Sequence, residues 1–272
     1  MELLVEQKRR VLKIVLNRPE KRNALTSGMC SAIVEAIGKV QESEEVGSIL
    51  VCANGPVFCA GMDLDEAAAM DHKQLSDIHG DLFSLGVNSK KPIVVAVCGA
   101  ALGGGLGLVA QGHIVTASTG AVFGLPEIHV GLWPFLVYRS VEAALGSRRT
   151  LELSLTGQLF HAQHALDWGL VHSVCNPGEV SNRAKGIAND LAKASPAALS
   201  AGMQYFHESR EKSRNESAEI AKHLRCCLME TDDFKEGYEA FKGKRTPQWP
   251  SMPHDFYHVQ HGSHAGNGGG SH

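Results

Sequence analysis

The sequence of 272 residues lacks the features that mark several common classes of protein. Its formal net charge is −3, so it has no surplus of basic side chains with which to bind nucleic acid. Its seven cysteines include no CxxC pair, which indicates reduced thiols rather than a disulfide framework or a metal site. Glu2 and Glu6 stand where an export signal needs a cationic segment, so we expect a cytoplasmic protein.

Charged side chains are absent from Pro92 to Pro126. An uncharged segment of this length could suggest a membrane helix, which needs about 20 apolar residues. However, five glycines fall between positions 99 and 107, and a turn there would leave backbone groups unpaired in lipid. We therefore predict a buried α/β core and no membrane partner.

The uncharged segment predicts a strand, a glycine turn, a short helix and a second strand, with one acid at its end. The strands are predicted at Ile93–Val97 and 113–117, and the acid is Glu127. Consecutive glycines that lead into a helix let backbone N–H groups approach a ligand, because no Cβ blocks them. The expected target of these donors is an oxygen atom that becomes negative.

A second glycine-bearing loop, 57–64, follows the predicted strand Ser48–Ala53, and Asp63 or Asp65 is placed to cap a helix after it. Oxyanion holes are often built from two backbone donors, so the two glycine loops could form one together. Alternatively, the glycines only permit tight turns.

Ser195-Pro196 is typical of a helix start, with serine as the cap and proline at the first helical position. It divides a predicted core, 1–195, from a helical region, 196–250, in which Asp232-Asp233 is expected to cap a helix. Residues 251–272 are rich in histidine and glycine, and we expect this tail to be disordered rather than to bind a metal.

Five motifs, in register over roughly residues 2–245, resemble the enoyl-CoA hydratase/isomerase family, also called the crotonase family. No GxGxxG motif accompanies the glycines, so a dinucleotide site is not indicated. The motifs are LNRPEKRNAL at 16–25, FCAGMDL at 58–64, ALGGGLG at 101–107, FGLPE at 123–127, and LTG at 155–157 followed by 165–171.

The resemblance implies an α/β fold, a crotonase-like spiral of repeated ββα units with a C-terminal helical trimerisation region. It also implies an enzyme of fatty acid metabolism that acts on acyl-CoA thioesters and forms a homotrimer or hexamer. No separate cofactor is expected, since coenzyme A is part of the substrate.

The family's site residues are carried over only to matching positions. The amides of Met62 and Gly104 would hold the thioester oxygen, with Gly103 beside them at the substrate. The resemblance further implies a coenzyme A path along two loops and, less closely matched, a C-terminal adenine-contacting helix. The path residues are Arg22, Ala24, Ala60, Asp63 and Leu64, and the helix residues are Phe241 and Lys244. Asp63 also fits a helix cap, and Lys244 also fits a solvated surface charge.

The carboxylates are expected to decide the reaction. Hydratases of the family carry a second Glu three residues beyond the oxyanion glycine, where this chain has Gly107, so Glu127 stands alone. A single buried Glu can still move a proton between two carbons, and this favours isomerisation of 3-enoyl-CoA to 2-enoyl-CoA. Trp133 and Phe135 are expected to line the acyl pocket or to pack in the core.

Two alternatives remain open from the sequence. The chain could be a hydratase in which Glu66 or a water network replaces the missing acid, or a non-catalytic acyl-CoA-binding protein. Glu66 and His129 lie close in sequence to the site loops, although both are expected by default at the surface.

Overall fold

The computed structural model describes residues 1–253 and 256, and the chain divides into two compact units, Met1–Lys193 and Ala194 onward. The disorder predicted for the tail concerns mainly residues 254–255 and 257–272, which lie outside the described residues. None of the helices in the described part of the chain is long and apolar enough to cross a membrane.

The first unit alternates strands and helices. Its strands are β1 (Leu3–Lys8), β2 (Val11–Leu16), β3 (Ser48–Ala53), β4 (Ile93–Val97), β5 (Ala100–Leu102), β6 (Ile114–Ser118), β7 (Val122–Gly124), β8 (Leu159–His161) and β9 (Ser173–Cys175). Its helices are α1 (Ser27–Gly38), α2 (Leu64–Ala69), α3 (His72–Phe83), α4 (Leu85–Asn88), α5 (Gly104–Ala110), α6 (Phe135–Leu145), α7 (Ser147–Thr156), α8 (Ala162–Asp167) and α9 (Val180–Lys193), and short 3-10 helices span Pro19–Lys21 and Pro126–Val130.

The larger sheet has the strand order β1-β2-β3-β4-β6-β9, with β1 antiparallel to β2 and every other pair parallel. Both faces are covered, so β4 is buried along its whole length. Successive side chains of a strand point to opposite faces. Accordingly, Val95 packs in the main core, whereas Val94 and Ala96 pack against α9. Small residues of α9, such as Ala188, allow it to lie close to the sheet.

A smaller sheet, with the strand order β5-β7-β8, positions Glu127, the acid that follows the uncharged segment. β5 pairs in parallel with β7, and β7 pairs antiparallel with β8. The glycine turn follows β5, and Glu127 follows β7 after only two residues. The sequence does not predict this sheet, because strands of three residues carry almost no periodic signal.

Side chains cap the first turn of several helices. Thr26 caps α1 by accepting a hydrogen bond from Met29 N, as a threonine immediately before a helix often does. The segment between Asp63 and β4 forms three separate helices, α2, α3 and α4. Asp71 caps α3 by accepting a hydrogen bond from Gln74 N. Met70, at the end of α2, has an extended backbone, so α2 ends before α3 begins.

The second unit contains α10 (Pro196–Ser209), α11 (Arg214–Met229) and α12 (Asp232–Lys242). Ser195 caps α10 with Pro196 at its first position, as predicted. The expectation that Asp232-Asp233 caps α12 is wrong, because Thr231 is the cap. Asp233 is buried instead, and it accepts hydrogen bonds from Ser195 Oγ and from Ser251 N and Oγ. Ser251, placed in the tail by the sequence analysis, is therefore held against α12.

We expect Asp233→Asn to lower the free energy of unfolding by about 2 kcal/mol at neutral pH, since a charged acceptor of buried hydrogen bonds is lost. Burial raises the pKa of Asp233, but bonds from Ser195 and Ser251 outweigh it, and the pKa lies below its ordinary value. This carboxylate therefore stabilises the fold above the ordinary pKa of an aspartate and loses that effect as pH falls through the lowered pKa.

Urea titrations at neutral and acidic pH measure both effects. The control is Asp232→Asn, which removes an exposed carboxylate paired with Lys235 and should change stability by less than about 0.5 kcal/mol. Equal stabilities for the two variants would contradict the role given to Asp233.

Candidate active site

The carboxylate of Glu127 lies directly over the backbone of Gly103. A Cβ built on Gly103 would come within 3.0 Å of Glu127 Oε1, and the φ of Gly103 is +53°. Gly103 N donates to Gly124 O at 2.9 Å, which fastens the glycine turn to the strand that leads to Glu127. Both the space and the left-handed backbone require glycine here.

Glu127 makes none of the contacts that a structural acid makes in the described part of the chain. Within the described residues, its Oε2 is buried and has no hydrogen-bond partner, and it joins no ion pair. Burial raises the pKa of Glu127, although its own backbone N–H partly opposes the shift. These contacts therefore give no support to a role of Glu127 in a helix cap or a salt bridge.

The loops that carry Met62 and Gly104 lie side by side. Leu25 N donates to Gly61 O and Asp63 N donates to Leu25 O, so Met62 is held between two backbone bonds. A Cβ on Gly61, whose φ is +102°, would lie 3.0 Å from Leu102 O and 3.5 Å from Gly104 N.

The amides of Met62 and Gly104 themselves donate no hydrogen bond to the described chain. Gly104 is the first residue of α5, where an N–H has no intrahelical partner. Two free donors thus stand on adjacent loops near the Glu127 carboxylate, the arrangement that an oxyanion hole needs.

An ion pair that the sequence analysis missed holds one of these loops. Arg18 Nη1 binds Asp63 Oδ2 at 2.6 Å, and both side chains are largely buried. Asp63 also caps α2 by accepting from Asp65 N and Glu66 N, which confirms its structural alternative. The hydrogen bond from Arg18 lowers the pKa of Asp63 despite partial desolvation. The available signal was the arginine of the LNRP motif, but nothing local identified its partner.

The remaining coenzyme A candidates of the first unit lie along the same loops. Arg22 is exposed, with a φ of +54°, and its carbonyl accepts from Ala60 N at 3.0 Å. Ala24 and Ala60 are half-buried, and Leu64 is exposed at the start of α2. In the second unit, Phe241 is 84% exposed and Lys244 is also exposed.

Apolar side chains fill the space beside Gly107, the position that corresponds to the second acid of the family's hydratases. A Cβ on Gly107 would lie 2.3 Å from Val137 Cγ1 and 2.9 Å from Phe83 Cε1. A Cβ on Gly104 would meet Phe83 Cζ at 3.2 Å and Leu25 Cδ1 at 3.3 Å. Phe83, Leu25 and Val137 therefore form an apolar wall beside the glycine turn, and the sequence analysis identified none of them.

The other candidates are engaged elsewhere or exposed. Glu66 accepts from Ser27 N at 2.7 Å and from Ser27 Oγ at 2.8 Å, so its carboxylate is occupied at the start of α1. His129 is exposed. Trp133 is half-buried and stacks on Tyr138. Phe135 is 77% exposed, so the alternative that it packs in the core is wrong, and its place in the acyl pocket stays a prediction.

A cleft of the first unit lies away from the candidate residues. A cleft of about 720 Å³ is lined by residues 145–149, Glu152 and Trp168, and it contains none of the candidate residues. Within the described ranges, no three His, Cys, Asp or Glu side chains gather in a way that could hold a metal ion.

The chain is similar to known proteins over most of its length. The chain is 35% identical to a probable mitochondrial enoyl-CoA hydratase of Dictyostelium discoideum over 250 residues, or 90% of this chain and 89% of that protein. It is 34% identical to the 2,3-dehydroadipyl-CoA hydratase of Escherichia coli, over 91% of this chain and 98% of that one.

A crystal structure of an enoyl-CoA hydratase from Mycobacterium smegmatis superposes with a TM-score of 0.87 at 29% identity, covering 92% of this chain and 99% of that chain. This likeness confirms the crotonase-like fold. The family model described as enoyl-CoA hydratase/isomerase matches residues 6–252. The protein therefore belongs to the enoyl-CoA hydratase/isomerase family.

Proposed function

We propose that this enzyme isomerises 3-enoyl-CoA to 2-enoyl-CoA and that Glu127 carries the proton in both directions. The observation that carries the proposal is the packing of Val137 and Phe83 against Gly107, which fills the place of a second carboxylate. Glu127 is the carboxylate whose contact with the Gly103-Gly104 turn the structure shows.

In the proposed mechanism, Met62 N–H and Gly104 N–H bind the thioester oxygen and stabilise the negative charge that develops on it. Glu127 removes a proton from C2, and the electron pair moves to form a dienolate. The resulting carboxylic acid returns the proton to C4, the carbonyl re-forms and the double bond lies between C2 and C3. Burial favours the protonated form of Glu127, which lets one group serve as base and then as acid.

For the rest of the substrate, we propose that coenzyme A lies along the loops of Arg22, Ala24, Ala60 and Leu64, with Phe241 and Lys244 as further candidates. We also propose that copies of the chain form a homotrimer or hexamer. Support comes from the exposed aromatic side chains of α12, Phe234, Tyr238 and Phe241, which fall on one helical face.

Hydration is the second candidate, because the named relatives include the E. coli 2,3-dehydroadipyl-CoA hydratase and a mevalonyl-coenzyme A hydratase of Aspergillus fumigatus. The bonds between Glu66 and Ser27 argue against Glu66 as the replacement acid. A non-catalytic binder is disfavoured, since a buried carboxylate without a partner destabilises a protein that does not use it.

The two reactions are distinguished by incubating the protein separately with a 3-enoyl-CoA and a trans-2-enoyl-CoA of equal chain length. We expect the 2-enoyl product to form from the first substrate, with 3-hydroxyacyl-CoA forming from the second at least about 10²-fold more slowly, because a second acid is missing. Chromatography of the CoA esters measures both. Fast hydration without isomerisation would show that the enzyme is a hydratase.

Glu127→Gln should lower kcat by at least about 10²-fold while acyl-CoA binding stays close to that of the wild type. The wild-type kcat/KM should rise with pH to a plateau, with its inflection above the ordinary pKa of a glutamate, because burial raises the pKa and the base must be ionised. Turnover by the variant would place the base elsewhere.

The Glu127→Gln variant should also differ from the wild type in thermal stability. A raised pKa means that ionisation of Glu127 destabilises the folded state as pH rises. Glu127→Gln should therefore unfold at a higher temperature than the wild type at neutral pH, and the difference should vanish below the ordinary pKa of a glutamate.

Gly107→Ala tests whether the place of the second acid is closed. We expect a loss of about 1 to 3 kcal/mol in unfolding free energy, because the new Cβ would overlap Val137 and Phe83. The matched control is Gly80→Ala in α3, where a Cβ meets nothing within 4 Å and should stabilise the helix by about 1 kcal/mol. If both variants gained stability, the space at Gly107 would be open and the argument for a single acid would be lost.

A further inference from the structure

His79 is a buried polar side chain that the proposed mechanism does not use. It is 6% exposed, and its Nε2 is buried without a hydrogen-bond partner among the described residues. An imidazole carries one donor and one acceptor when neutral, and leaving either unpaired in a protein interior is unfavourable. Within this unit of the described chain, Glu127 Oε2 is the other buried side-chain atom of this kind.

The position of His79 connects it with the candidate active site. It lies on the buried face of α3, one turn before Phe83, and the two ring centroids are 6.1 Å apart. Phe83 in turn contacts the turn of Gly104 and Gly107. His79 is thus separated from the glycine turn by a single aromatic ring and stands at the far end of the apolar wall.

The surroundings of His79 define the group that it could bind. Burial lowers its pKa, so the imidazole is neutral and offers both a donor and an acceptor at neutral pH. The nearby carboxylate of Glu66 acts on His79 electrostatically and partly opposes this shift. The same negative charge would repel a carboxylate on a ligand, whereas an uncharged hydroxyl or carbonyl group would not be repelled.

We propose that His79 hydrogen-bonds an uncharged polar substituent on the acyl chain, so that the substrates are enoyl-CoA esters with a hydroxyl or keto group distant from the thioester. The inference rests on acyl-CoA binding beside Glu127 as proposed above. It assigns His79 to substrate selection, while Glu127 performs the chemistry. A simple alkyl chain would leave the imidazole unpaired in the complex.

The test measures binding of saturated acyl-CoA esters by calorimetry, since these cannot react and the result does not depend on which reaction Glu127 performs. A series of ω-hydroxyacyl-CoA esters of increasing length is compared with methyl-ended esters of the same lengths. The proteins are the wild type, His79→Leu, His79→Gln and the control Leu75→Val. The control changes packing one turn earlier on the buried face of α3 without altering a hydrogen-bonding group.

We expect the wild type to prefer the hydroxyl ester at one chain length and His79→Leu to reduce that preference about tenfold, which corresponds to the loss of one hydrogen bond. His79→Gln should retain part of the preference, and Leu75→Val should leave it unchanged. His79→Leu should also unfold at the same or a higher temperature than the wild type, since an unpaired buried polar atom is removed.

The proposal is overturned if the wild type and His79→Leu show the same preference at every chain length. It is also overturned if a carboxyl-ended ester binds more tightly than the hydroxyl ester, since the group bound would then be an anion. A fall in thermal stability of His79→Leu with unchanged preference would make His79 a structural residue.

Discussion

The close contact between the Glu127 carboxylate and the Gly103 backbone is the constraint on which the rest of the candidate site depends. Burying a carboxylate without a partner costs free energy, so the surrounding backbone must hold Glu127 in this position. The parallel pairing of β5 with β7 and the bond from Gly103 N to Gly124 O provide that support. The left-handed turn at Gly103 then directs the chain into α5, which leaves the N–H of Gly104 free.

The N–H of Met62 is the second candidate donor, and its position depends on contacts other than those that position the N–H of Gly104. The bonds of Leu25 to Gly61 and Asp63 hold the backbone on either side of Met62. Arg18 secures the loop through Asp63, and an ion pair so shielded from water contributes rigidity more surely than stability. Two loops anchored independently can thus hold their amides in fixed positions, as the proposed stabilisation of a negatively charged transition state requires.

Features governed by neighbouring residues in the sequence were predictable, and features formed between distant segments were not. The caps Thr26 and Ser195 follow from local chemistry, and the buried β4 follows from its apolar sequence. By contrast, the partner of Arg18 lies 45 residues away and the three-residue strands of the smaller sheet have no pattern of their own.

The same distinction explains the incorrect predictions. Asp233 looks like a capping residue in isolation, but Thr231 precedes it, and Ser195 and Ser251 bind its carboxylate. The apolar character of Phe135 does not determine whether the fold covers it, and it stays exposed. The family motifs located Glu127 and the glycine turn, yet the side chains that fill the space at Gly107 come from α3 and α6 and could be identified only in three dimensions.

Phe83 connects the two unusual polar groups of the first unit, because it packs against the glycine turn and lies next to the ring of His79. An apolar ring in this position lowers the local polarity beside the turn, and low polarity strengthens any hydrogen bond that a substrate oxygen would make with the free amides. Apolar side chains at both 79 and 127 would avoid two buried polar atoms without partners, which is why we propose that both groups contact the substrate.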